Sequence, residues 1–462
     1  MTHRRRVWLW VVIWIVLALS IGVIGAYYRY VAPQLRSYQQ VTQELQQAYG
    51  PAVVDTAKEV FPYFLGMDSP KRFLVLFQNN TELRPTGGFV GNYAIIEMDD
   101  ASVTSWFVEG TEKLDARADQ SKIPQSPPPL RNYLAQPKFF FRDSNWLPDF
   151  PSSAKLLMER YAQESGDTEP FDGVIAINAE FVARVMRVLG PITADGVRLD
   201  PDTFVEQLQW EVEYGYAARG DSYENRKEFV QHVMAIMFDR VKNNFTVLWP
   251  KMARIFFEGL DIKDVQLYAT DAGVQRTVLS QQWGGEVAQL GEGDDGWLLV
   301  DANFASLKTD RVMARSVAYS VTPDGRATLR ITYKNRGAFD WRTTRYRSYS
   351  RVYLPAGTEF LRGEGAMIRE KDPAVGDFFV GREYNRPVVG FFFVVEPGAT
   401  HTIELEYQLP AAVRQRLADR TYELHVQKQS GTPAMPLQLQ FMGDAVIDAI
   451  LTSDASFQLR NK

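Results

Sequence analysis

The chain is 462 residues long and contains no cysteine and four histidines, His3, His232, His401 and His425. This excludes a disulfide framework, a thiolate nucleophile, an Fe–S cluster and Cys-ligated zinc, and histidines so widely spaced make a His-rich metal site a poor reading. With cysteine absent and histidine scattered, any chemistry falls to Arg, Lys, Asp, Glu, Asn and hydroxyl groups, and the net charge of −5, from 51 basic and 56 acidic residues, argues against a nucleic-acid partner.

Arg4, Arg5 and Arg6 precede Val7 to Tyr28, an uncharged run of 22 residues. At about 1.5 Å per residue such a helix spans the hydrocarbon core of a bilayer. Trp8, Trp10 and Trp14 near one end and Tyr27 and Tyr28 at the other suit the two interfaces, and the arginines set the amino end in the cytoplasm. The run is longer than the apolar part of a cleaved signal peptide and has no clean A-x-A site. The expectation is a cytoplasmic tail at 1–6, a single transmembrane anchor at 7–28, and the rest outside the cytoplasm. Residues 29–67 follow as a helical stalk, with Leu35, Tyr38, Val41, Leu45 and Tyr49 at helical spacing and Gly50-Pro51 as a stop.

Residues 68–308 read as a layered α/β domain. Phe73 to Phe77 is a short apolar run typical of a buried strand. Phe89 to Met98, the turn 99–102 and Val103 to Val108 read as strand, turn, strand. The polar, Pro-rich stretch 110–137 reads as a surface loop or small lid. Ser152 and Ser153 can cap a helix ended by Gly166. Phe171 to Ile177 is a strand, and Asn178 caps a helix closed by Gly190-Pro191. Further helices are predicted from Asp200 to about Ala218, from Tyr223 to about Val241, and from Asp271 through Gln282. Residues 309–462 read as an antiparallel β-sandwich of evenly spaced strands, starting with a hairpin at Val317 to Tyr333 around Pro323-Asp324-Gly325, with one inserted helix at Ala411 to Arg420.

Three stretches could carry chemistry. Gln78 to Phe89 follows a buried strand, where ligands gather in α/β sheets. There Gly87 and Gly88 let backbone N–H groups approach an anion, Asn80 adds an amide, and Arg84 can supply a bidentate guanidinium. The structural alternative is a strained crossover loop in which Arg84 pairs with Glu82. In the second, Arg142 and Asp143 end an apolar run; they could bind phosphate and hold a divalent cation or act as a base, or simply tie a loop to the sheet. In the third, Arg219 and Arg226 flank a loop feeding a helix amino terminus, a place suited to anions, or form part of a solvated charge run.

The run Gln78 to Asn92 (QNNTELRPTGGFVGN) resembles the DUF4012 family of bacterial membrane-anchored proteins, as do Arg142 to Trp146 with Asp149-Phe150-Pro151, and Asp301-Ala302-Asn303. That family is in turn distantly similar to the LytR-CpsA-Psr ligases, which move glycopolymers from a polyprenyl-pyrophosphate carrier onto peptidoglycan. Arg142-Asp143-Ser144 stands where the ligases have Pro-Arg-Asp-Thr, and Arg226-Lys227-Glu228 resembles their Arg-x-x-Arg-Gln helix. The resemblance implies that Arg84, Arg142, Arg226 and, beside them, Arg219 grip a pyrophosphate. Asp143 would be the base or metal ligand. The two aspartates with which the ligases hold Mg²⁺ are absent, so Mg²⁺ would need Glu82 or Asp143. The expected partners are a polyprenyl-linked glycan or other phosphorylated lipid, cell-wall glycan and the membrane. Two functions follow: a glycopolymer-binding envelope protein that transfers its ligand, or a non-catalytic envelope or adhesion protein on a degenerate ligase fold.

Overall fold

A computed structural model describes residues 32–220, 222, 226, 228–305, 307–369 and 372–459. The predicted tail at 1–6 and anchor at 7–28 lie outside the described residues. Among the described residues no helix is long and apolar enough to cross a membrane.

The first part is built on a five-stranded sheet. Its strands are β1 (Lys71–Asn79), β2 (Phe89–Asp99), β3 (Ser102–Gly110), β4 (Gly173–Asn178) and β7 (Val265–Ala269), in the order β3-β2-β1-β4-β7. A separate small hairpin is made by β5 (Ile192–Ala194) and β6 (Val197–Leu199). β1 runs parallel to β4, with Phe73 opposite Gly173 and Gln78 opposite Asn178, so both carboxyl ends lie side by side. The neighbours β2 and β7 are antiparallel to them.

Period-two alternation sends the side chains of β1 into two cores. Leu74 and Leu76 pack with Ala154, Leu157 and Tyr161 of the helix Phe150–Ser165. Phe73 faces the other way, into a core that also takes Phe181, Phe257 and Leu260. Asn178 accepts the Phe181 N–H at 3.0 Å and so starts the helix Ala179–Leu189, as the sequence predicts. The helix at 150–165 is capped by Asp149 rather than by Ser152 or Ser153, because its first turn begins at Phe150.

The helices Ala32–Tyr49 and Pro51–Phe64 are not a free stalk. Val41, Leu45, Val54, Ala57 and Val60 are buried in the same core as Phe73, Val265 and Leu267. The apolar face that reads as a spacer is the face these helices bury.

The second part is a sandwich. Its strands are β8 (Asp295–Asn303), β9 (Met313–Val321), β10 (Arg326–Asn335), β11 (Tyr346–Tyr353), β12 (Glu359–Glu364), β13 (Met367–Arg369), β14 (Asp372–Val375), β15 (Phe379–Glu383), β16 (Arg386–Val395), β17 (Thr400–Gln408), β18 (Glu423–Gln427), β19 (Met435–Phe441), β20 (Ile447–Leu451) and β21 (Ala455–Gln458). One sheet has the order β12-β17-β10-β9-β19-β20 and the other β15-β16-β11-β8-β18-β21, while β13 and β14 form a hairpin. The sandwich is mostly antiparallel, but each large sheet holds a parallel pair, β9 with β19 and β8 with β18.

The sandwich also begins at Asp295, ahead of the boundary at 309 that the sequence suggests. All nine residues of β8 are buried, so the strand lacks the alternation that marks its partners β9 and β10. One face of β8 meets the opposite sheet through Trp297 and Leu299. The other face meets the α/β part. There Ala302, Tyr349, Phe392 and Val394 pack on Leu130, Phe139 and Trp146, with the Tyr133 and Phe392 rings stacked at 4.2 Å. The stretch 110–137 therefore holds helices at Thr111–Arg117 and Pro128–Tyr133 and joins the two parts; Leu130 at its centre is buried.

Candidate functional site

The chain leaves β1 at Asn79, makes a compact loop and returns as β2. Asn79 Oδ1 accepts from the Thr81 amide at 3.2 Å and from its hydroxyl at 2.7 Å, which turns the backbone. Gln78 Nε2 donates to Thr86 Oγ1 at 2.8 Å, and Asn145 Nδ2 donates to the Gly88 carbonyl at 2.8 Å. The Leu83 carbonyl accepts from Asn303 N at 2.9 Å, and Arg84 Nη1 donates to the Asn303 carbonyl at 2.5 Å. Three stretches singled out in the sequence, 78–92, 142–146 and 301–303, are thus hydrogen-bonded into one unit.

Beside this loop lies a cavity of about 470 Å³. Its polar lining includes Glu82 and Arg84 from the loop, Asn92 from β2, and Arg142 and Asp143 from the 3-10 turn Phe141–Trp146, joined by Glu213, Arg226 and Lys308. Its apolar lining comes largely from helices: Val182 of 179–189, Phe204 and Leu208 of Phe204–Trp210, and Val230 and Met234 of Glu228–Asn243. Arg84, Arg142, Arg226, Glu82 and Asp143, five of the candidate residues, are therefore brought together.

The charges are largely paired. Arg84 Nη2 lies 3.2 Å from Glu82 Oε1, and Lys308 Nζ lies 3.0 Å from Glu213 Oε1. Arg142 Nε lies 3.1 Å from Asp115 Oδ2 and 3.7 Å from Asp143 Oδ2. Burial pushes the Glu82 and Asp143 carboxyls above the usual carboxylate range, against the pull of Arg84 on both and of Arg142 on Asp143. Two buried donors, Arg84 Nε and Asn92 Nδ2, have no hydrogen-bond partner among the described residues. Side chains that line a cavity and keep unmet donors are suited to an anionic ligand.

Four candidate residues are not brought to this cavity. Arg219 pairs with the Glu211 carboxylate and lies 4.5 Å over the Phe229 ring. Asn80 turns its amide toward the Gly431 carbonyl, at 3.4 Å. Gly87 and Gly88 answer to close packing rather than to an anion. A Cβ on Gly87, whose φ is 127°, would meet Ser430 Oγ at 2.5 Å, and one on Gly88 would meet the Asn79 carbonyl carbon at 2.4 Å. The crossover-loop reading thus describes these glycines and the Arg84–Glu82 pair.

Other lining residues escape sequence reasoning. Asn92 ends the motif at 78–92, but its place depends on a register shift between Phe77 and Gln78. Lys308 sits where the two parts of the chain join, and no local pattern marks it. Among the described residues no group of three or more His, Cys, Asp or Glu side chains is placed to hold a metal. Among the described residues the carboxylates on the cavity wall are Glu82, Asp143 and Glu213, the last paired with Lys308. One or two carboxylates together with phosphate oxygens and water is a pattern Mg²⁺ accepts.

A family model described as "Protein of unknown function (DUF4012)" matches residues 68–212. The match takes in β1 to β6, the loop after β1, the turn at 141–146 and the helix at 204–210, and therefore Glu82, Arg84, Asn92, Arg142 and Asp143. It stops short of Arg226, Lys308 and the Asp301-Ala302-Asn303 stretch. No curated protein matches the chain.

Proposed function

We propose that the chain is a single-pass bacterial envelope protein that binds a polyprenyl-(pyro)phosphate-linked glycan in this cavity. The phosphate lies against Arg84, Arg142, Arg226 and Lys308, and the first isoprenoid units lie against Val182, Phe204, Leu208 and Met234. The observation that supports this reading is the meeting of two chemistries in one cavity: guanidinium groups, with an unmet donor at Arg84 Nε, and a wall of apolar helix side chains. A lipid phosphate is a ligand class with both parts. An anchor at 7–28 would keep the protein in the bilayer that carries such a ligand. Glu82 and Asp143 are the residues that would hold Mg²⁺ beside the phosphate, where the ion would neutralise charge.

Transfer of the glycan to a cell-wall acceptor would need little more than positioning and charge neutralisation at the phosphate, with Asp143 as the available base. The ion pairs favour binding without transfer. Glu82 is held by Arg84 and Asp143 lies beside Arg142, so neither carboxylate stands ready without a change of partner.

The test is to purify the full chain in detergent and quantify the lipid phosphate that comes with it. Removing a charge-assisted contact costs about 1.5–3 kcal/mol, so Arg142→Ala and Arg226→Ala should each retain about tenfold less lipid or lower still. Equal lipid content in wild type and both variants sinks the reading.

A further inference from the structure

The loop after β1 serves two cavities. Asn79, Glu82 and Arg84 line the first, whereas Asn80, Thr81 and Leu83 line a second of about 390 Å³. The segment 79–84 is the wall between them. The second cavity lies where the α/β part meets the sandwich, and it is lined by Arg184, Arg311, Arg315 and Lys428.

We propose that this second cavity binds an oxyanion, a phosphate or carboxylate group, held by Arg184, Arg315 and Lys428. The argument rests on donors that the protein leaves unmet. Arg315 is buried, only 7% exposed. Its Nε donates to Asp301 at 2.7 Å and its Nη2 to Asp310 at 2.5 Å and to Tyr346 at 2.8 Å, yet its Nη1 has no partner among the described residues. Arg184 Nη2 lies 2.7 Å from Asp264 Oδ2, while its buried Nε has no partner among the described residues. A buried guanidinium N–H left unmet costs stability unless an acceptor fills the space, and a planar fork suits an oxyanion.

The acidic residues of the cavity do not answer these donors. Asp264 also accepts from Asn178 Nδ2 at 2.5 Å, Asp310 also accepts from Leu83 N at 2.9 Å and Asn303 Nδ2 at 2.8 Å, and Glu180 is exposed. Lys428 points the same way. It donates to the Ile262 and Gln429 carbonyls, and burial holds its ammonium down at about 8, a cost that a bound anion would relieve. These donors are not those of the first cavity, so the inference stands or falls apart from the lipid reading.

The experiment uses the full chain in detergent carrying Arg142→Ala and Arg226→Ala, which removes two cations of the first cavity. Inorganic phosphate and acetate are titrated into it separately by calorimetry. One saturable event is expected with at least one of the two anions, and the better binder identifies the group. Adding Arg184→Gln should weaken that event about tenfold. Lys428→Gln, measured in the same background, decides the matter if Arg184→Gln does not fold. No saturable binding of either anion overturns the proposal, as does unchanged affinity in whichever of these two variants fold.

Discussion

Arg142 of the first cavity is anchored on Asp115, whose Oδ2 lies 3.1 Å from the arginine Nε, and Asp115 in turn acts electrostatically on the buried Glu164 carboxyl. Glu164 also accepts the Phe141 amide at 2.6 Å. Both carboxyls are buried. Two interacting buried carboxyl groups favour holding a proton between them, and one of the two is the partner of Arg142.

Burial pushes Asp115 up to about 6 against the pull of Arg142, and burial with repulsion from Asp115 pushes Glu164 up to about 8. A group whose pKa is raised in the folded state adds stability below its unfolded value and loses it as pH climbs through the folded value. The melting temperature should therefore fall as pH rises from the ordinary carboxylate range through about 8. Glu164→Gln keeps a neutral hydrogen-bonding group in place and should flatten that fall. The check is a series of melts of both proteins from about pH 5 to about pH 9. Parallel profiles would show that the pair does not share a proton.

Gly88→Ala should be among the most destabilising single-methyl changes in the chain. The added Cβ would sit 2.4 Å from the Asn79 carbonyl carbon and 2.5 Å from its oxygen, and backbone cannot rotate away as a side chain can. Overpacking of this kind costs about 1–3 kcal/mol, and more where the neighbour is main chain. Gly196→Ala is the comparison: its φ is 78°, but its Cβ would meet nothing within 4 Å, so only backbone strain of about 1 kcal/mol applies. Urea denaturation of both variants measures the difference, and equal losses would contradict the crowded loop.

What the sequence shows of this molecule follows from where its signals are local. The strands β1, β2, β4, β9 and β10 are bounded by turn residues and alternate or run apolar, and caps such as Asn178 and Asp271 act within their own helices. β8 is hidden because it is covered on both faces. The helix Phe245–Asp261 is hidden because Pro250 interrupts the pattern that would mark it. The site divides in the same way. Arg84, Arg142, Asp143 and Arg226 stand out through motif and resemblance, but Asp115, which anchors Arg142, and Lys308, which joins the lining, come from segments with no pattern of their own. Gly87 and Gly88 mislead because close packing and anion binding ask for the same residue.

Asp301 joins the two sheets of the sandwich. It accepts from Arg315 Nε at 2.7 Å, from the Tyr333 hydroxyl at 2.8 Å and from the Ser350 hydroxyl at 2.6 Å, all buried. Asp301→Asn keeps the shape but leaves Arg315 with a single carboxylate partner, Asp310. Breaking one side of a buried ion pair costs about 3–5 kcal/mol. The variant should show a matching drop in denaturant midpoint with little change in the slope of the transition. A loss under about 1 kcal/mol would mean that the pair's attraction barely exceeds its desolvation cost.

Two valines on one helix separate cavity from core. Val182 lines the first cavity and is only partly buried where it touches the core, whereas Val185, one turn along Ala179–Leu189, is buried among Phe181, Met186 and the side chains of neighbouring helices. The same substitution should therefore have opposite signatures at the two positions. Val182→Trp grows into open space, so the melting temperature should hold within a few degrees while co-purified lipid phosphate falls. Val185→Trp has no such space and should cost about 1–3 kcal/mol or more of stability. Thermal melts with lipid quantification on both variants make the comparison. If Val182→Trp lowers stability as far as Val185→Trp does, position 182 is packed rather than open. If it keeps both its stability and its full lipid content, the apolar wall of the cavity does not carry the lipid.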